Sequence, residues 1–219
     1  MPAPSITTDA FILLKRPPAD KFQSFTAFSA EHGNLTILQR IGGKSAATSV
    51  ALDLFDEASL RLESSNQGRT WFVTETRLLA RPVGIGRSYE SLRFGSEFTA
   101  LLARNPVHED SRASVARLLR TALAAFATGV RPDAVFFKSL YCFARDEGYP
   151  VKQEWLPTLP KEIHADALHL LRTPLANLKT QNSRPETRTL KPGTQNSDSS
   201  LLLRLFTDYL RVHTEILLD

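Results

Sequence analysis

The fold of this 219-residue chain is decided by the stretch Phe11–Ser45, FILLKRPPADKFQSFTAFSAEHGNLTILQRIGGKS. Its opening apolar run ends at Lys15-Arg16-Pro17-Pro18, and this predicts a strand followed by a loop, because proline cannot donate to a strand ladder. Phe22–Ser29 alternates in part, and Leu35–Arg40 has a strand pattern. His32-Gly33-Asn34 predicts a tight turn between them. The stretch therefore predicts three successive strands.

The residues that follow extend the β-rich region to Pro82. Val50–Phe55, Ala58–Glu63 and Thr70–Ala80 are each interpreted as a further strand. Asn66-Gln67-Gly68 is a hairpin signal between the last two of them. Short strands at this spacing, all within residues 7–82, predict a small barrel or sandwich.

After Pro82 the apolar residues recur at helical rather than strand spacing. A polar stretch, residues 179–200, is interpreted as a loop, and residues 201–218 as a closing amphipathic helix. The chain is therefore expected to be α+β, with a β domain at 1–82 and an all-α domain at 83–219. The other predicted helices are Ser88–Arg104, Ser111–Thr128, Arg131–Glu147 and Lys161–Lys179, the last of which Pro174 is expected to cut.

Composition favours an ordinary globular protein, with 42% hydrophobic and 23% charged residues. The longest apolar runs, such as Leu201-Leu202-Leu203, are far too short for a membrane span. The first residues show neither a basic nor an apolar leader pattern. A cytoplasmic location is the expectation.

The familiar motifs of enzymes are weak in this sequence. Gly42-Gly43-Lys44-Ser45 ends like a phosphate-binding loop, but that motif needs a glycine where Leu38 stands. The single cysteine, Cys142, lies in an apolar helical stretch and is interpreted as a small buried hydrophobe. The acidic group of Asp53, Asp56 and Glu57 is interpreted as a turn or strand end. We therefore expect no enzyme, with no catalytic residue, cofactor or metal.

Basic residues beside aromatic residues are the chemical signal that remains. The net charge is +4 and the isoelectric point about 9.4, without any strongly basic block. Binders of single-stranded nucleic acid combine cations for the phosphates with aromatic faces for the bases. The alternative is that these aromatics are core and these cations ordinary solvated charge. The candidate nucleic-acid-binding residues are Lys15, Arg16, Lys21, Arg40, Lys44 and Arg69.

Four segments, in this order, make the chain resemble the RecO family of recombination and DNA-repair mediators. Phe25–Gly33 (FTAFSAEHG) is similar to the family's second strand and its turn, and Gln39–Ser45 (QRIGGKS) to a shifted form of its basic element. Val135–Pro150 (VFFKSLYCFARDEGYP) resembles a family helix that ends in Leu-x-x-x-Gly-x-x-Pro. The last helix, with Tyr209-Leu210 and His213, resembles a closing Tyr-Leu-x-x-His pattern.

This resemblance implies an OB-fold barrel at residues 7–82 and a helical domain after it. It also implies a non-enzymatic, nucleoid-associated DNA repair and recombination mediator that binds single- and double-stranded DNA, anneals strands and helps to load RecA with RecR. Many family members carry a four-cysteine zinc element, whereas Val151–His164 has no cysteine, so no zinc finger is expected. The segment Arg40–Lys44 is also less basic than its family counterpart.

A second expected site lies in the helical region. The resemblance implies a contact with the acidic tail of the single-strand-binding protein. An acidic tail with a hydrophobic end needs a hydrophobic pocket that is bordered by arginines. Leu119, Phe126 and Phe143 are the apolar candidates. The alternative is surface charge on a helical bundle. The arginines proposed for this site are Arg112, Arg117, Arg120 and Arg145.

Two other classes of function stay open at this point. In the first, the barrel is a protein-interaction scaffold that does not touch DNA; in the second, the chain is an enzyme with a deep polar pocket. A fold that gathers the basic residues on one face would favour DNA binding, and an even scatter would favour the scaffold.

Overall fold

The computed structural model describes residues 4–42, 50–64, 67–129, 131–175 and 197–218. Its strands are β1 (Ser5–Lys15), β2 (Phe22–Ser29), β3 (Gly33–Arg40), β4 (Glu57–Glu63) and β5 (Trp71–Ala80). Its helices are α1 (Tyr89–Arg104), α2 (Arg112–Ala127), α3 (Pro132–Asp146), α4 (Lys161–Arg172) and α5 (Ser197–His213). A five-stranded sheet followed by helices confirms the predicted α+β layout.

The five strands pair in the closed order β1-β2-β3-β5-β4, with β4 returning to β1. All neighbours run antiparallel except β3 and β5, which are parallel at Ile37–Trp71 and Leu38–Phe72. Side chains alternate between the two faces of a strand, so one set of apolar residues fills the interior. That interior cluster consists of Ala10, Ile12, Phe25, Ala27, Leu35, Ile37, Leu52, Ala58, Leu60, Leu62 and Trp71.

The predicted turn between β2 and β3 is confirmed and has a clear local cause. The Ser29 hydroxyl oxygen accepts hydrogen bonds from the backbone N–H groups of Glu31 and His32, at 3.1 and 3.4 Å. Gly33 then adopts φ +68°, which a residue with a Cβ rarely tolerates. Residues Phe22–Ser29 form a strand with the bounds that were predicted from sequence.

The predicted strand at Val50–Phe55 is wrong. The Gln39 side chain takes the place of a strand partner there: its amide nitrogen donates to Val50 O at 2.8 Å, and its oxygen accepts from Leu52 N at 2.9 Å. Phe55 has φ +72°, outside the β region. The backbone of this segment is thus hydrogen-bonded by side chains and by β1 instead of by a strand ladder: Gln39 binds Val50 and Leu52, the Arg81 guanidinium donates to Ala51 O at 2.8 Å, and Phe55 N donates to Ile12 O at 3.0 Å. These are long-range contacts that a local pattern does not reveal.

The helices lie close to their predicted positions, with corrections near the carboxyl end of the chain. The helix predicted at Lys161–Lys179 ends at Arg172, and Thr173, which precedes Pro174, is extended. This confirms that Pro174 cuts the predicted helix; residues 176–179 lie outside the described part. α5 begins at Ser197, inside the predicted loop, and the rest of that loop up to residue 196 is not described. Residues 214–218 are not helical; there the Thr214 hydroxyl donates to Leu210 O at 2.7 Å and accepts from Ile216 N at 3.3 Å.

The chain divides into two compact units. The first is Met1–Pro82 with Thr99–Leu119, and the second is Val83–Phe98 with Arg120–Asp219. The second unit is centred on aromatic packing: Phe206 lies 4.6 Å from Trp155, 5.8 Å from Phe137 and 5.7 Å from Tyr141, measured between ring centroids. In the described residues, no helix is long and apolar enough to span a membrane.

Candidate nucleic-acid interface

Strand alternation sorts the aromatic residues of β2 and β5 into interior and surface positions. Phe25 and Trp71 point into the barrel, where they are 1% and 8% exposed. Phe22 lies an odd number of residues from Phe25, and Phe72 directly follows Trp71, so both point to the outer side of their strands, where they are half-buried. Their rings meet edge to face, with centroids 5.6 Å apart. Of these four aromatics, only Phe22 and Phe72 can therefore present part of a ring to a ligand.

Cross-strand pairing places cationic side chains beside this aromatic pair. Ser24, Leu38 and Phe72 form one row across β2, β3 and β5, and Arg16 extends it because its N–H donates to Ser24 O at 3.0 Å. Phe22 and Arg40 form the next row. We call the surface formed by Arg16, Phe22, Ser24, Leu38, Arg40 and Phe72 the outer face.

Lys21 borders the outer face. Its carbonyl oxygen accepts the Ile41 N–H at 2.8 Å, so Lys21 and Arg40 lie at the same end of the β2–β3 pair. Arg16, Lys21 and Arg40 are all exposed. Three of the six predicted nucleic-acid-binding residues are thus brought together, next to two half-buried phenylalanine rings.

Of the other three predicted residues, Lys15 and Arg69 are not part of this group, and Lys44 is not among the residues that the structure describes. Lys15 donates to Asp53 Oδ1 at 2.9 Å, so its charge is already paired. Arg69 precedes β5 and lies toward the opposite end of the parallel β3–β5 pair from Arg40. Sequence adjacency to an aromatic residue, which selected Arg69, did not reveal which end of the barrel it occupies.

The acidic group Asp53, Asp56 and Glu57 has a structural role, as its interpretation as a turn or strand end anticipated. Asp56 is fully buried and binds the Arg81 guanidinium through both oxygens, at 2.7 and 2.6 Å. Burial raises the pKa of Asp53, but the hydrogen bond from Lys15 and the Leu54 N–H outweigh burial and hold that pKa below its ordinary value. Both carboxylates are thus engaged by cations of the barrel unit.

The four arginines of the second expected site have separate surroundings. Arg112 donates to Glu31 O at 3.2 Å and lies against Gly33, so it holds the β2–β3 turn. Arg145 binds Asp146 Oδ1 through two nitrogens, at 2.9 and 2.6 Å. Arg117 and Arg120 are exposed, and they belong to the first and second compact unit respectively.

The apolar residues expected to line that second site are core residues instead. Leu119, Phe126 and Phe143 are at most 1% exposed. A side chain that is already packed on all sides cannot accept a peptide without unfolding its surroundings. The helical stripe that selected these residues reported their burial rather than a pocket.

Two observations on the described residues bear on metal or nucleophilic chemistry. Cys142 lies on α3, and burial raises the pKa of its thiol, whereas a nucleophilic cysteine needs a lowered one. Among the described residues, no three His, Cys, Asp or Glu side chains converge as a metal site would require.

Sequence reasoning did not separate Phe22 and Phe72, the aromatic residues of the outer face, from the interior Phe25 and Trp71 beside them. The signal was available for Phe22, which shares its parity with Ser24 and Thr26, both polar. The signal was weaker for Phe72, because Trp71 beside it is equally apolar.

No family model matches the chain, and a comparison with curated proteins gives no match.

Proposed function

We propose that the chain is a non-enzymatic DNA-binding protein of the RecO type, and that it binds single- and double-stranded DNA through the outer face. The observation that carries the proposal is the Phe22–Phe72 pair with Arg16, Lys21 and Arg40 around it. The rings offer stacking surface to bases, and the three cations offer charge to phosphates. Stacking on an aromatic side chain contributes about 1–3 kcal/mol per base.

The strand arrangement supports an OB-fold assignment for the barrel. OB-folds are five-stranded Greek-key barrels that bind oligonucleotides on the face of strands 2 and 3 and on the loop between strands 1 and 2. Here Phe22, Ser24, Leu38 and Arg40 lie on β2 and β3, and Arg16 lies in the β1–β2 connection. The outer face thus coincides with the surface on which that fold binds nucleic acid.

A role in repair follows from DNA binding together with the resemblance. Cations that bind the phosphates of two strands at once lower their repulsion and promote annealing. Loading of RecA with RecR, and contact with the acidic tail of the single-strand-binding protein, rest on the resemblance alone.

Salt dependence of oligonucleotide binding tests the proposal. Three phosphate contacts predict that log K against log salt has a slope of about −2 for single strands. Affinity should then fall roughly 16-fold between about 50 and 200 mM salt. Replacing Arg16, Lys21 and Arg40 together by Ala should remove most of this slope, in fluorescence anisotropy with a labelled single strand.

Two further variants separate stacking from charge. Phe22→Ala with Phe72→Ala should weaken binding while leaving the salt slope unchanged, because no phosphate contact is lost. Arg61→Ala removes an exposed cation of the same barrel that is paired with Glu75 off the outer face, and serves as the matched control. Absence of binding at low salt, or an equal loss in Arg61→Ala, would contradict the proposal.

A protein-interaction scaffold is the second candidate function. It is favoured by the positions of two of the predicted cations, since Lys15 is paired and Arg69 lies away from the outer face. Two results together would support the scaffold: the unmodified chain does not bind DNA, and the triple variant of Arg16, Lys21 and Arg40 still binds any protein partner that the unmodified chain binds.

A further inference from the structure

The second compact unit contains a groove along the exposed side of α5. Its volume is about 410 Å³, within the range of about 300–1,000 Å³ that ligand sites occupy. Along α5 it is lined by Leu205, Asp208, Tyr209, Val212 and His213. These positions follow the spacing i, i+3, i+4, i+7 and i+8, so they form one continuous stripe over two helical turns.

The opposite side of the groove is rigid and apolar at its base. Trp155, Leu159 and Pro160 line it there, and Glu154 and Thr158 complete it. The Trp155 ring is fixed by its packing on Phe206, 4.6 Å away between centroids. A ligand therefore meets a preformed surface, which lowers the entropic cost of binding.

Two carboxylates flank the groove, and no Lys or Arg lines it among the described residues. This contrasts with the whole chain, in which 27 Lys and Arg exceed 23 Asp and Glu. Glu154 and Asp208 are both exposed. The Tyr209 hydroxyl donates to Glu154 Oε2 at 3.2 Å and so holds one carboxylate at the rim. Burial, followed by the Glu154 charge, raises the pKa of Tyr209 and keeps it a donor.

Val212 adds an exposed apolar contact. It is 76% exposed on the last turn of α5, and Leu205 lies half-buried two turns before it. The length of the stripe, about 10–11 Å, corresponds to two turns of a second helix. An amphipathic helix docks in such a groove through apolar residues at the same spacing.

We propose that this groove binds an amphipathic helix of a partner protein, one whose aliphatic face is flanked by Lys or Arg. The aliphatic side chains cover the accessible Leu205 and Val212, above the buried base of the groove, and the cations reach Glu154 and Asp208. The rim carboxylates Glu154 and Asp208, the second of which lies 3.9 Å from the Arg211 guanidinium, favour a cationic helix over phosphates or an acidic peptide at this groove. The inference is independent of DNA binding by the barrel.

Titration of the full chain with two synthetic peptides tests the proposal. Both have about 14 residues and Leu at helical spacing, one with flanking Lys and the other with Glu at the same positions. We expect the Lys peptide to bind at least tenfold more tightly than the Glu peptide. Fluorescence of Trp155, measured in a Trp71→Phe background so that Trp155 is the remaining tryptophan, reports occupancy at the groove itself.

Substitutions of the two rim carboxylates test whether they cause the preference for the Lys peptide. Glu154→Gln and Asp208→Asn should each weaken the Lys peptide about fivefold, in line with single exposed charge pairs, and should leave the Glu peptide unchanged or tighter. Asp166→Asn removes an exposed carboxylate of α4 that does not line the groove, and should change nothing. Val212→Lys, at a position that needs no packing to fold, should reduce binding of the Lys peptide further.

Several outcomes overturn the proposal. They are no binding of the Lys peptide, equal binding of both peptides, or rim variants that bind the Lys peptide as tightly as Asp166→Asn does. Self-association of the chain that Val212→Lys abolishes would assign the groove to a second copy instead. Intact DNA binding by all these variants would show that a failure here is separate from a failure of the barrel proposal.

Discussion

The outer face of the barrel and the groove beside α5 both combine aromatic rings with charge, but the sign of the charge differs. Phe22 and Phe72 lie beside Arg16, Lys21 and Arg40, whereas the half-buried Tyr209, above the buried Trp155, lies beside Glu154 and Asp208. A partly exposed aromatic ring is suited both to bases and to aliphatic side chains. The charge at its rim decides between a polyanion and a cationic peptide.

The two regions also differ in how their aromatics are supported. The Phe22–Phe72 pair covers the outside of a barrel whose interior is filled by other residues. Phe206, in contrast, is fully buried beneath the groove and contacts Phe137, Tyr141 and Trp155. The outer face can therefore lose a ring at small cost to folding, whereas the helical unit cannot.

The largest expected effect follows from this difference in burial. Phe206→Ala should lower the free energy of unfolding by about 3–5 kcal/mol, because it leaves a cavity at the centre of the aromatic cluster. Phe72→Ala, the matched control on the outer face, should cost clearly less. Urea unfolding followed by circular dichroism measures both. Equal losses of unfolding free energy would show that the Phe22–Phe72 pair stabilises the barrel core and is not available for ligand binding alone.

A smaller effect is expected at Lys138, which joins two helices within the second unit. Its ammonium group is buried and donates to the carbonyl oxygens of Leu170 at 3.2 Å, Leu171 at 2.9 Å and Thr173, so it satisfies the end of α4. Lys138→Met should cost about 1–3 kcal/mol, because buried acceptors lose their donor. Chemical denaturation at neutral pH provides the measurement.

The pH dependence of the same residue provides a check on its charge. Burial lowers the pKa of Lys138 below 10.5, so in the window between the folded and unfolded pKa values the unfolded chain holds the proton more tightly. The unmodified protein should gain stability from Lys138 as pH rises through that window, and Lys138→Met should lack this gain. Identical alkaline profiles would contradict a buried charge at this position.

The smallest effect concerns Lys15 and separates the paired cation from those of the outer face. Asp53→Asn removes the carboxylate that holds Lys15 and keeps the oxygen that accepts the Leu54 N–H. The change should cost less than about 1 kcal/mol of stability and strengthen oligonucleotide binding a few-fold, as the freed cation adds to the positive field. Lys15→Ala should weaken binding less than Arg40→Ala does, in the same anisotropy assay.

The Lys15–Asp53 pair also has a defined acid response. Because the folded pKa of Asp53 lies below 3.8, its contribution to stability is complete above pH 3.8 and is lost as pH falls through the folded value. Asp53→Asn should remove this part of the acid profile. An unchanged profile, or weaker DNA binding by Asp53→Asn, would show that Lys15 is not withdrawn from the ligand by this pair.

Local patterns predicted most of the elements because they depend on neighbours in sequence. β2 follows from the alternation of Phe22–Ser29, and the turn after it follows from Gly33 and the Ser29 hydroxyl. α3 follows from Pro132 at its first turn and an apolar stripe up to Asp146. The error at Val50–Phe55 has the opposite origin, since distant groups bind that backbone: the Gln39 side chain, eleven residues from Val50, and the Arg81 guanidinium, 30 residues from Ala51.

The candidate sites were harder to predict because residue type does not reveal partners. Lys15 and Arg40 have the same character in the sequence, yet Asp53, 38 positions away, pairs with Lys15. Leu119, Phe126 and Phe143 were correctly found on apolar stripes, but burial removed them from any pocket. The groove beside α5 was missed, since Glu154 and Asp208 are far apart in the chain and meet only through the Tyr209–Glu154 contact and the packing of α5.

Apart from the strand wrongly predicted at Val50–Phe55, the sequence by itself determined the order of strands and helices, because hydrophobic periodicity, proline and glycine act within a few residues. Only the tertiary structure decided which aromatics face outward, which cations are left to bind a ligand, and where carboxylates gather. The physical reason is that pairing and burial are long-range. Phe22 and Phe72 lie 50 positions apart in the chain, and closure of the barrel is what brings their rings to 5.6 Å.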